Sequence, residues 1–233
     1  MKLLKQFQAV FEGNLYRHRS STHGDRVAQY LYEDLYDLNQ SPKFRDRVDD
    51  ESVVLGSANR THGVKHRRGD GSLGPIVPGE SAIQDPGFVV ARGSLATIQI
   101  GVEVKILAKA MIKQIDRVIG DLKRQAEEFR RSNPQAIAVG IVGVNHACSY
   151  RSVEGDRVYE TGKGKSGPHP IHEAPAAILR LDEAKPAFDE FLILRFGATN
   201  CEPYSFDWVD SMEARRDYSS ALVRIAGSYQ HRF

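Results

Sequence analysis

The chain has 233 residues, of which 41% are hydrophobic and 27% are charged. This apolar fraction excludes intrinsic disorder, and the 20 glycines and 10 prolines exclude a coiled coil. The longest apolar stretch, residues 136–144, is far too short to cross a bilayer, and the first residues do not form a signal-peptide core. Because two cysteines cannot build a disulfide scaffold, we expect a cytoplasmic protein. The short apolar runs predict no membrane partner.

The charge of the chain is informative mainly through its distribution. The 32 basic and 30 acidic side chains leave a formal net charge of +2, which is small for a protein that binds a polyanion through bulk charge. Residues 60–68 nevertheless contain four Lys or Arg and two His without a single acid. This local excess predicts that the protein holds phosphates at one place on its surface.

The first 84 residues are predicted to contain two helices and a long irregular segment. Apolar residues recur at helical spacing over residues 2–16 and again over residues 25–38. Residues 39–84 are rich in Gly, Pro, Ser, Asp and Arg and show no long periodic run. Because such stretches are uncommon inside compact domains, we expect a functional segment that includes short strands whose positions the pattern does not reveal.

A β-hairpin is predicted next. Residues 88–91 form a short strand, residues 92–94 a turn, and residues 95–106 a longer strand. In the longer strand the even-numbered positions from 98 to 104 are all Ile or Val, whereas Glu103 and Lys105 lie on the opposite face. The predicted strand therefore has one apolar face, and its other face carries an acid and a base two residues apart.

The remaining elements indicate the fold class. A long helix is predicted over residues 108–131, and the apolar run 136–144 has the length of a buried strand. Strand, helix and apolar strand form a βαβ crossover, which predicts an α/β fold with a mixed central sheet flanked by helices. Three further elements are expected: a helix near 174–181, a strand near 188–196 and a helix near 211–229.

Two carboxylates of the predicted hairpin are candidates for a metal site. Asp85 precedes the first strand and Glu103 lies on the second, so the hairpin can bring both carboxylates together. Facing carboxylates are costly unless a cation binds between them, and a hard divalent cation is the natural occupant. Lys105 can then orient or deprotonate an attacking water, or neutralise charge that develops on a phosphate.

These residues resemble the motif of the PD-(D/E)xK nuclease superfamily. Asp85 matches the first acid, and Glu103-Val104-Lys105 matches the (D/E)-x-K tripeptide. The order of elements also agrees: an upstream helix, a hairpin with the acids, a helix directly after the lysine, and an apolar strand. The resemblance implies that Asp85, Glu103 and the Val104 carbonyl bind Mg²⁺ or Mn²⁺, and that Lys105 assists the attacking water.

The resemblance covers more than half of the chain. It implies a restriction-endonuclease-like core over about residues 22–145, with residues 146–233 as a C-terminal extension of a single domain. It further implies cleavage of double-stranded DNA, and a homodimer if both strands of a palindrome are cut.

Four other polar residues are possible additional members of this site. Asp70 is an alternative first acid, although an Asp between two glycines is also typical of an ordinary turn, which is the favoured interpretation. In the family, an acid of the first helix can join the metal shell, for which Asp34 and Glu33 are the candidates. Gln114 matches a polar position after the motif. Surface charge on a helix and a glutamine at a helix edge are the alternative roles of these three side chains.

Basic side chains of two loops are expected to contact the nucleic-acid backbone. The first group lies in the basic segment between the predicted helix and the hairpin, and the second lies in a glycine-rich loop. Both loops are also compatible with simple solvation. The predicted phosphate contacts are Arg60, Lys65, Arg67, Arg68, Lys163 and Lys165.

The sequence therefore predicts a Mg²⁺-dependent endonuclease that hydrolyses DNA phosphodiester bonds, with a type II restriction endonuclease as the best fit to a stand-alone chain of this length. A nuclease effector of an anti-phage defence system is an alternative within the same class. A non-catalytic nucleic-acid-binding or assembly protein on the same scaffold is the alternative from another class. Metal-dependent cleavage distinguishes the enzymes from the non-catalytic protein.

Overall fold

A computed structural model describes most of the chain. The described residues are 1–18, 22–61, 64–65, 69–154, 157–160 and 169–233, without the side chains of residues 22, 57–61 and 64–65. The α-helices in these segments are α1 (Lys2–Ala9), α2 (Thr22–Leu38), α3 (Pro42–Asp49), α4 (Met111–Ser132), α5 (Pro170–Leu181) and α6 (Ser211–Arg232). The strands are β1 (Val53–Thr61), β2 (Val64–Lys65), β3 (Gly71–Pro75), β4 (Arg92–Leu95), β5 (Ile100–Leu107), β6 (Ile137–Asn145), β7 (Ser149–Ser152), β8 (Arg157–Glu160), β9 (Glu190–Ala198) and β10 (Phe206–Trp208).

Eight of these strands form one mixed sheet. Its order is β10-β9-β6-β5-β3-β1-β2, and β4 pairs with β1 outside this path. The strands β5, β6 and β9 are parallel neighbours, whereas β3 runs antiparallel to β5. The strands β7 and β8 form a separate antiparallel pair. The predicted fold class, α/β with a mixed central sheet flanked by helices, is confirmed.

Helices cover both faces of the central sheet. One apolar cluster joins α1, α2, α3 and α6 to the even-numbered positions of β5, including Val102 and Val104. A second cluster joins α4 and α5 to the other face, which includes Leu107 and Val142. Because α4 connects the parallel strands β5 and β6, the predicted βαβ crossover is also confirmed. None of the helices in the described segments is both long enough and apolar enough to cross a membrane.

The predicted hairpin is wrong. Residues 88–91 form no strand, and residues 92–94, the predicted turn, belong to β4, which pairs in parallel with β1. The antiparallel neighbour of β5 is β3, and their pairing places Gly71 opposite Val102. Alternating apolar residues indicate a strand but not its partner, and the Gly-Ser-Leu-Gly-Pro sequence of β3 lacks such alternation.

The first predicted helix is shorter than expected. It ends at Ala9 instead of continuing to residue 16. Gly13 has φ +66°, a left-handed conformation that favours glycine, and the side-chain amide of Asn14 donates a 3.1 Å hydrogen bond to the Ala9 carbonyl. The apolar spacing continues past Ala9 because Val10 and Phe11 still belong to the core. Residues that pack into the core without forming a helix can therefore show the apolar spacing of a helix.

Glycine at position 101 allows α4 to pack directly on β5. The ring of Phe129, which is fully buried in α4, lies where a Cβ atom of residue 101 would be. Gly69, just before β3, meets the same ring, and its Cβ would also lie 2.7 Å from the Val102 carbonyl oxygen. Because these two glycines have no side chains, α4 packs closely on the part of β5 that carries Glu103.

We predict that Gly101→Ala lowers the free energy of unfolding by roughly 1–3 kcal/mol, because the added methyl group overlaps the Phe129 ring. The matched control is Gly120→Ala in α4, where a Cβ atom would meet nothing within 4 Å. That change should raise stability by roughly 0.5–1 kcal/mol, since alanine favours a helix over glycine. Denaturant unfolding of both variants measures the difference, and equal effects would contradict the described packing.

Candidate active site

A cleft of about 440 Å³ opens where β3 and β5 stop pairing. Its wall includes the start of α2, the second half of β5 and the first turns of α4. Four of the sequence-predicted site residues line it: Asp70, Val104, Lys105 and Gln114. The cleft thus collects polar side chains from segments that are distant in sequence.

Asp70 reaches the backbone of β5 at the point where the strand ladder ends. β3 pairs with β5 only as far as Val102, and two residues later the Val104 N–H donates a 2.7 Å hydrogen bond to Asp70 Oδ2. In an extended strand the N–H and C=O of one residue point to the same edge. The Val104 carbonyl therefore points to the edge that faces Asp70, and Val104 lines the cleft.

Glu103 and Lys105 lie on the same face of β5, as the sequence predicts. The side chain of Glu103 is buried, with 4% exposure, and its Oε1 atom forms an ion pair with Lys105 Nζ. Lys105 itself is partly exposed and lines the cleft. An acid and a base therefore flank Val104 along β5, and both lie on the face opposite the Val104 side chain.

The two carboxylates interact electrostatically. Burial raises the pKa of Asp70 to about 7, and the negative charge of Glu103 adds to this rise. The Val104 N–H and Lys105 act in the opposite direction, and Asp25 in the first turn of α2 raises the pKa further. A carboxyl group with such a pKa is a favourable site for a cation, because a bound positive charge removes the repulsion between the acids.

Gly24 is a member of the site that the sequence did not reveal. A Cβ atom at this position, in the first turn of α2, would lie 2.6 Å from both Cγ and Oδ1 of Asp70. A larger side chain would therefore displace the Asp70 carboxylate from Val104. A glycine near a helix start carries no pattern that indicates such a contact, so only the tertiary structure identifies it.

Asp85 does not come to Glu103 as the hairpin prediction required. It lies in the connection between β3 and β4, where its carboxylate pairs with Arg92, and Arg92 Nη2 donates a 2.7 Å hydrogen bond to Asp85 Oδ1. The cleft lining described above includes Asp70 but not Asp85. The physical reason is that the strand order differs from the predicted hairpin: the neighbour of β5 is β3, and not the segment before β4.

Glu33 and Asp34, the predicted additional acids, bind backbone groups away from the cleft. Glu33 Oε1 accepts hydrogen bonds of 2.9 Å from the N–H groups of Val89 and Val90. Asp34 accepts 2.7 Å and 2.9 Å bonds from the first two N–H groups of α1, and a 2.8 Å bond from the Tyr218 hydroxyl. Both carboxylates therefore stabilise the fold by accepting hydrogen bonds from backbone N–H groups.

Gln114, one of the possible additional site residues, also lines the cleft. Its side-chain amide donates a 2.8 Å hydrogen bond to the Lys109 carbonyl, at the start of α4. His23, Lys109 and the exposed Arg117 also line the cleft. Sequence reasoning missed these three residues, since isolated basic side chains on separate segments show no distinctive spacing.

The predicted phosphate contacts lie largely outside the described structure. The backbones of Arg60 and Lys65 pair across β1 and β2, but their side chains are not among the described groups. The other four predicted contacts, Arg67, Arg68, Lys163 and Lys165, lie outside the described residues altogether.

The donors at the cleft fit a hard divalent cation. Within the described segments no three His, Cys, Asp or Glu side chains are grouped for metal binding. Asp70, Glu103 and the Val104 carbonyl nevertheless supply oxygen atoms of the type that Mg²⁺ prefers, and this ion normally retains several waters. Burial raises the pKa of Asp70 most, and the negative charge of Glu103 adds to the rise; a bound divalent ion would compensate this charge.

Comparison with protein-family models and with curated protein sequences gives no match to this chain.

We predict that the Asp70 carboxyl group contributes a loss of stability to the metal-free protein as the pH rises from about 4 to about 7, and that the buried His18, whose pKa is lowered to about 4, contributes in the opposite direction. An unfolded Asp ionises near pH 4, whereas folded Asp70 holds its proton until about pH 7. At this carboxyl group the folded state therefore binds more protons in this range, and its advantage disappears as the pH passes the folded pKa. Asp70→Asn, which keeps a neutral acceptor for the Val104 N–H, should remove roughly 2–4 kcal/mol of this pH dependence.

Denaturant unfolding in the presence of a chelator, at several pH values, measures this effect. Asp85→Asn is the matched control, because it removes a carboxylate that pairs with Arg92 outside the cleft. Wild type and the control should share one pH profile, and the same profile in Asp70→Asn would show that Asp70 does not carry the effect.

Proposed function

We propose that the chain is a Mg²⁺-dependent endonuclease that hydrolyses DNA phosphodiester bonds, with Mn²⁺ as an alternative ion. The observation that carries this proposal is that Asp70, Val104 and Lys105 line one cleft and that the buried Glu103 lies next to them, since it pairs with Lys105 and its charge acts on Asp70. This set has the composition of a PD-(D/E)xK site, with Asp70 in place of the sequence-predicted Asp85. The proposed first acid is therefore the residue directly before β3.

Three oxygen donors would hold the metal ion. They are the carboxylates of Asp70 and Glu103 and the carbonyl of Val104. A bound Mg²⁺ stabilises the negative charge that grows on a phosphoryl group and lowers the pKa of a bound water. The hydrogen bond from the Val104 N–H fixes the Asp70 carboxylate, so one of the two acids is oriented before any ion binds.

Lys105 has two roles that its position supports. Its ammonium group pairs with Glu103 and is partly exposed to the cleft, so it can donate a hydrogen bond to a water or to a phosphate oxygen. In the proposed reaction the water oxygen forms a bond to phosphorus while the bond to the 3′ oxygen breaks. The water proton leaves to solvent, the 3′ oxygen takes up a proton, and a 5′ phosphate remains.

The charge at the mouth of the cleft supports a polyanionic substrate. Arg117 and Lys109 line the same cleft as Asp70 and carry positive charge, whereas burial and the charge of Arg26 lower the pKa of His23 below its usual value. Positive charge beside metal-binding acids attracts a phosphate backbone. The homodimeric type II restriction endonuclease is the predicted biological form of this activity, since two sites related by a twofold axis can cut both strands.

We predict that Asp70→Asn, Glu103→Gln and Lys105→Ala each lower the cleavage rate by at least roughly a hundredfold, because each removes a group that stabilises charge at phosphorus. The measurement is cleavage of a set of unrelated long DNAs in Mg²⁺, with a chelator as the blank. Asp85→Asn is the matched control, since it makes the same chemical change outside the cleft.

The three variants and the control together separate the possible outcomes. Loss of cleavage in Asp70→Asn with full cleavage in Asp85→Asn supports Asp70 as the first acid. Full cleavage in Asp70→Asn with loss in Asp85→Asn would return the first acid to the connection between β3 and β4. Absence of metal-dependent cleavage in the wild type on every DNA would refute the proposed activity.

A further inference from the structure

Another part of the same cleft holds a carboxylate that is surrounded by hydrogen-bond donors. The carboxylate is that of Glu154, which follows β7, and its neighbours are His18 and Lys109. His18 lies in the segment between α1 and α2, and Lys109 lies between β5 and α4. All three line the cleft together with Asp70 and Lys105. Three segments that are distant in sequence therefore meet at one anionic group.

The contacts around Glu154 are those of an anion-binding site. Its Oε1 atom accepts a 3.0 Å hydrogen bond from the His18 backbone N–H, and its Oε2 atom lies 3.7 Å from Lys109 Nζ. The hydroxyl of the buried Ser152 donates a 3.1 Å hydrogen bond to the Glu154 backbone carbonyl, lies 3.4 Å from the same Oε2 atom and accepts a hydrogen bond from Lys109 Nζ. A backbone N–H, an ammonium group and a hydroxyl thus converge on one carboxylate.

One donor of this group is still available. His18 Nε2 makes no hydrogen bond within the described part of the chain and lies 3.8 Å from Glu154 Oε2. Burial, together with the charge of Lys109, lowers the pKa of His18 to about 4, so the imidazole is neutral at neutral pH. Lys109 therefore supplies the full positive charge, and the ring nitrogen can supply one more hydrogen bond than the carboxylate uses.

A phosphodiester matches these donors more completely than the carboxylate does. Both groups carry one negative charge on two oxygens, and backbone N–H groups, lysine and hydroxyl groups bind both. The tetrahedral phosphate is larger and can extend to the His18 ring while it keeps the other contacts. Because the site shares its cleft with the proposed metal-binding acids, a nucleic-acid strand with its scissile phosphate at Asp70 and Glu103 can present a neighbouring phosphate here.

We infer that His18, Lys109 and Ser152 bind a backbone phosphate next to the scissile one, and that Glu154 occupies this phosphate site in the free protein. This inference rests on the proposed function for the identity of the ligand, but not for the existence of the anion site. Glu154 then competes with the substrate, since its carboxylate must leave before a phosphate can enter. The binding site is therefore self-occluded, and nucleic-acid affinity is limited by an internal anion.

Two substitutions with opposite expected effects test this inference. Glu154→Gln removes the competing charge and keeps an acceptor for the His18 N–H, so it should tighten binding of a labelled DNA duplex by roughly fivefold. Lys109→Met removes the cation, so it should weaken binding by roughly tenfold and lower the salt dependence by about one phosphate contact. Binding is measured in a chelator, where no metal-dependent cleavage occurs.

Matched controls are available on the same chain. Glu160 is exposed on β8 of the same hairpin, and Glu160→Gln removes the same charge outside the cleft lining. Lys5 is exposed on α1, and Lys5→Met removes a cation that does not line this cleft. Both controls should bind the duplex within about twofold of the wild type, apart from the small effect of net charge.

The outcomes are decisive in both directions. Tighter binding by Glu154→Gln but not by Glu160→Gln supports the occluded phosphate site. Equal binding by Glu154→Gln and wild type, with Lys109→Met equal to Lys5→Met, overturns it and leaves the contacts as an anchor of the β7–β8 hairpin. If Glu154→Gln does not fold, as thermal unfolding would show, the comparison of Lys109→Met with Lys5→Met decides alone.

Failure of this inference and failure of the proposed function are distinguishable. If the wild type does not cleave DNA in Mg²⁺ but Glu154→Gln still binds duplex more tightly, the phosphate site stands on a non-catalytic nucleic-acid-binding protein. If the wild type cleaves DNA and the Glu154 and Lys109 variants bind as their controls do, the catalytic proposal stands and the phosphate site is refuted.

Discussion

The arrangement of the cleft depends on two carboxylates that the sheet brings close to each other. Asp70 binds the backbone of β5 where β3 stops pairing, and Glu103 projects from the same strand one residue before that contact. Burial and mutual repulsion raise the pKa of Asp70 to about 7. The fold maintains this unfavourable arrangement in the free protein, and a bound divalent cation would relieve it.

Three glycines allow the close helix packing that positions the two acids. Gly24 lets the start of α2 touch Asp70, and Gly101 and Gly69 let the Phe129 ring of α4 lie directly on β5. In each case a Cβ atom would push a neighbouring group away. The two helices on opposite faces of the sheet thus determine where the carboxylates stand, so the geometry of the cleft depends on the packing of the whole domain.

The sequence predicted the local features of this site better than its long-range contacts. The alternation along β5 placed Glu103 and Lys105 on one face, and the apolar run of β6 predicted the βαβ crossover, because both patterns reflect burial of neighbouring residues. The partner strand could not be predicted, since β3 has no alternation, and an Asp between glycines has the appearance of a turn. For this reason the sequence pattern favours Asp85 over Asp70, although both residues are candidates. The contacts of Gly24 and Glu154 link distant segments and leave no local pattern.

The most direct test of the central claim is titration of Mn²⁺ into the wild type and single variants, followed by calorimetry. Our account predicts saturable binding to the wild type and to Asp85→Asn, and at least roughly tenfold weaker binding to Asp70→Asn and Glu103→Gln. Unchanged Mn²⁺ affinity in Asp70→Asn would show that Asp70 and Glu103 do not share a cation, and would contradict the account.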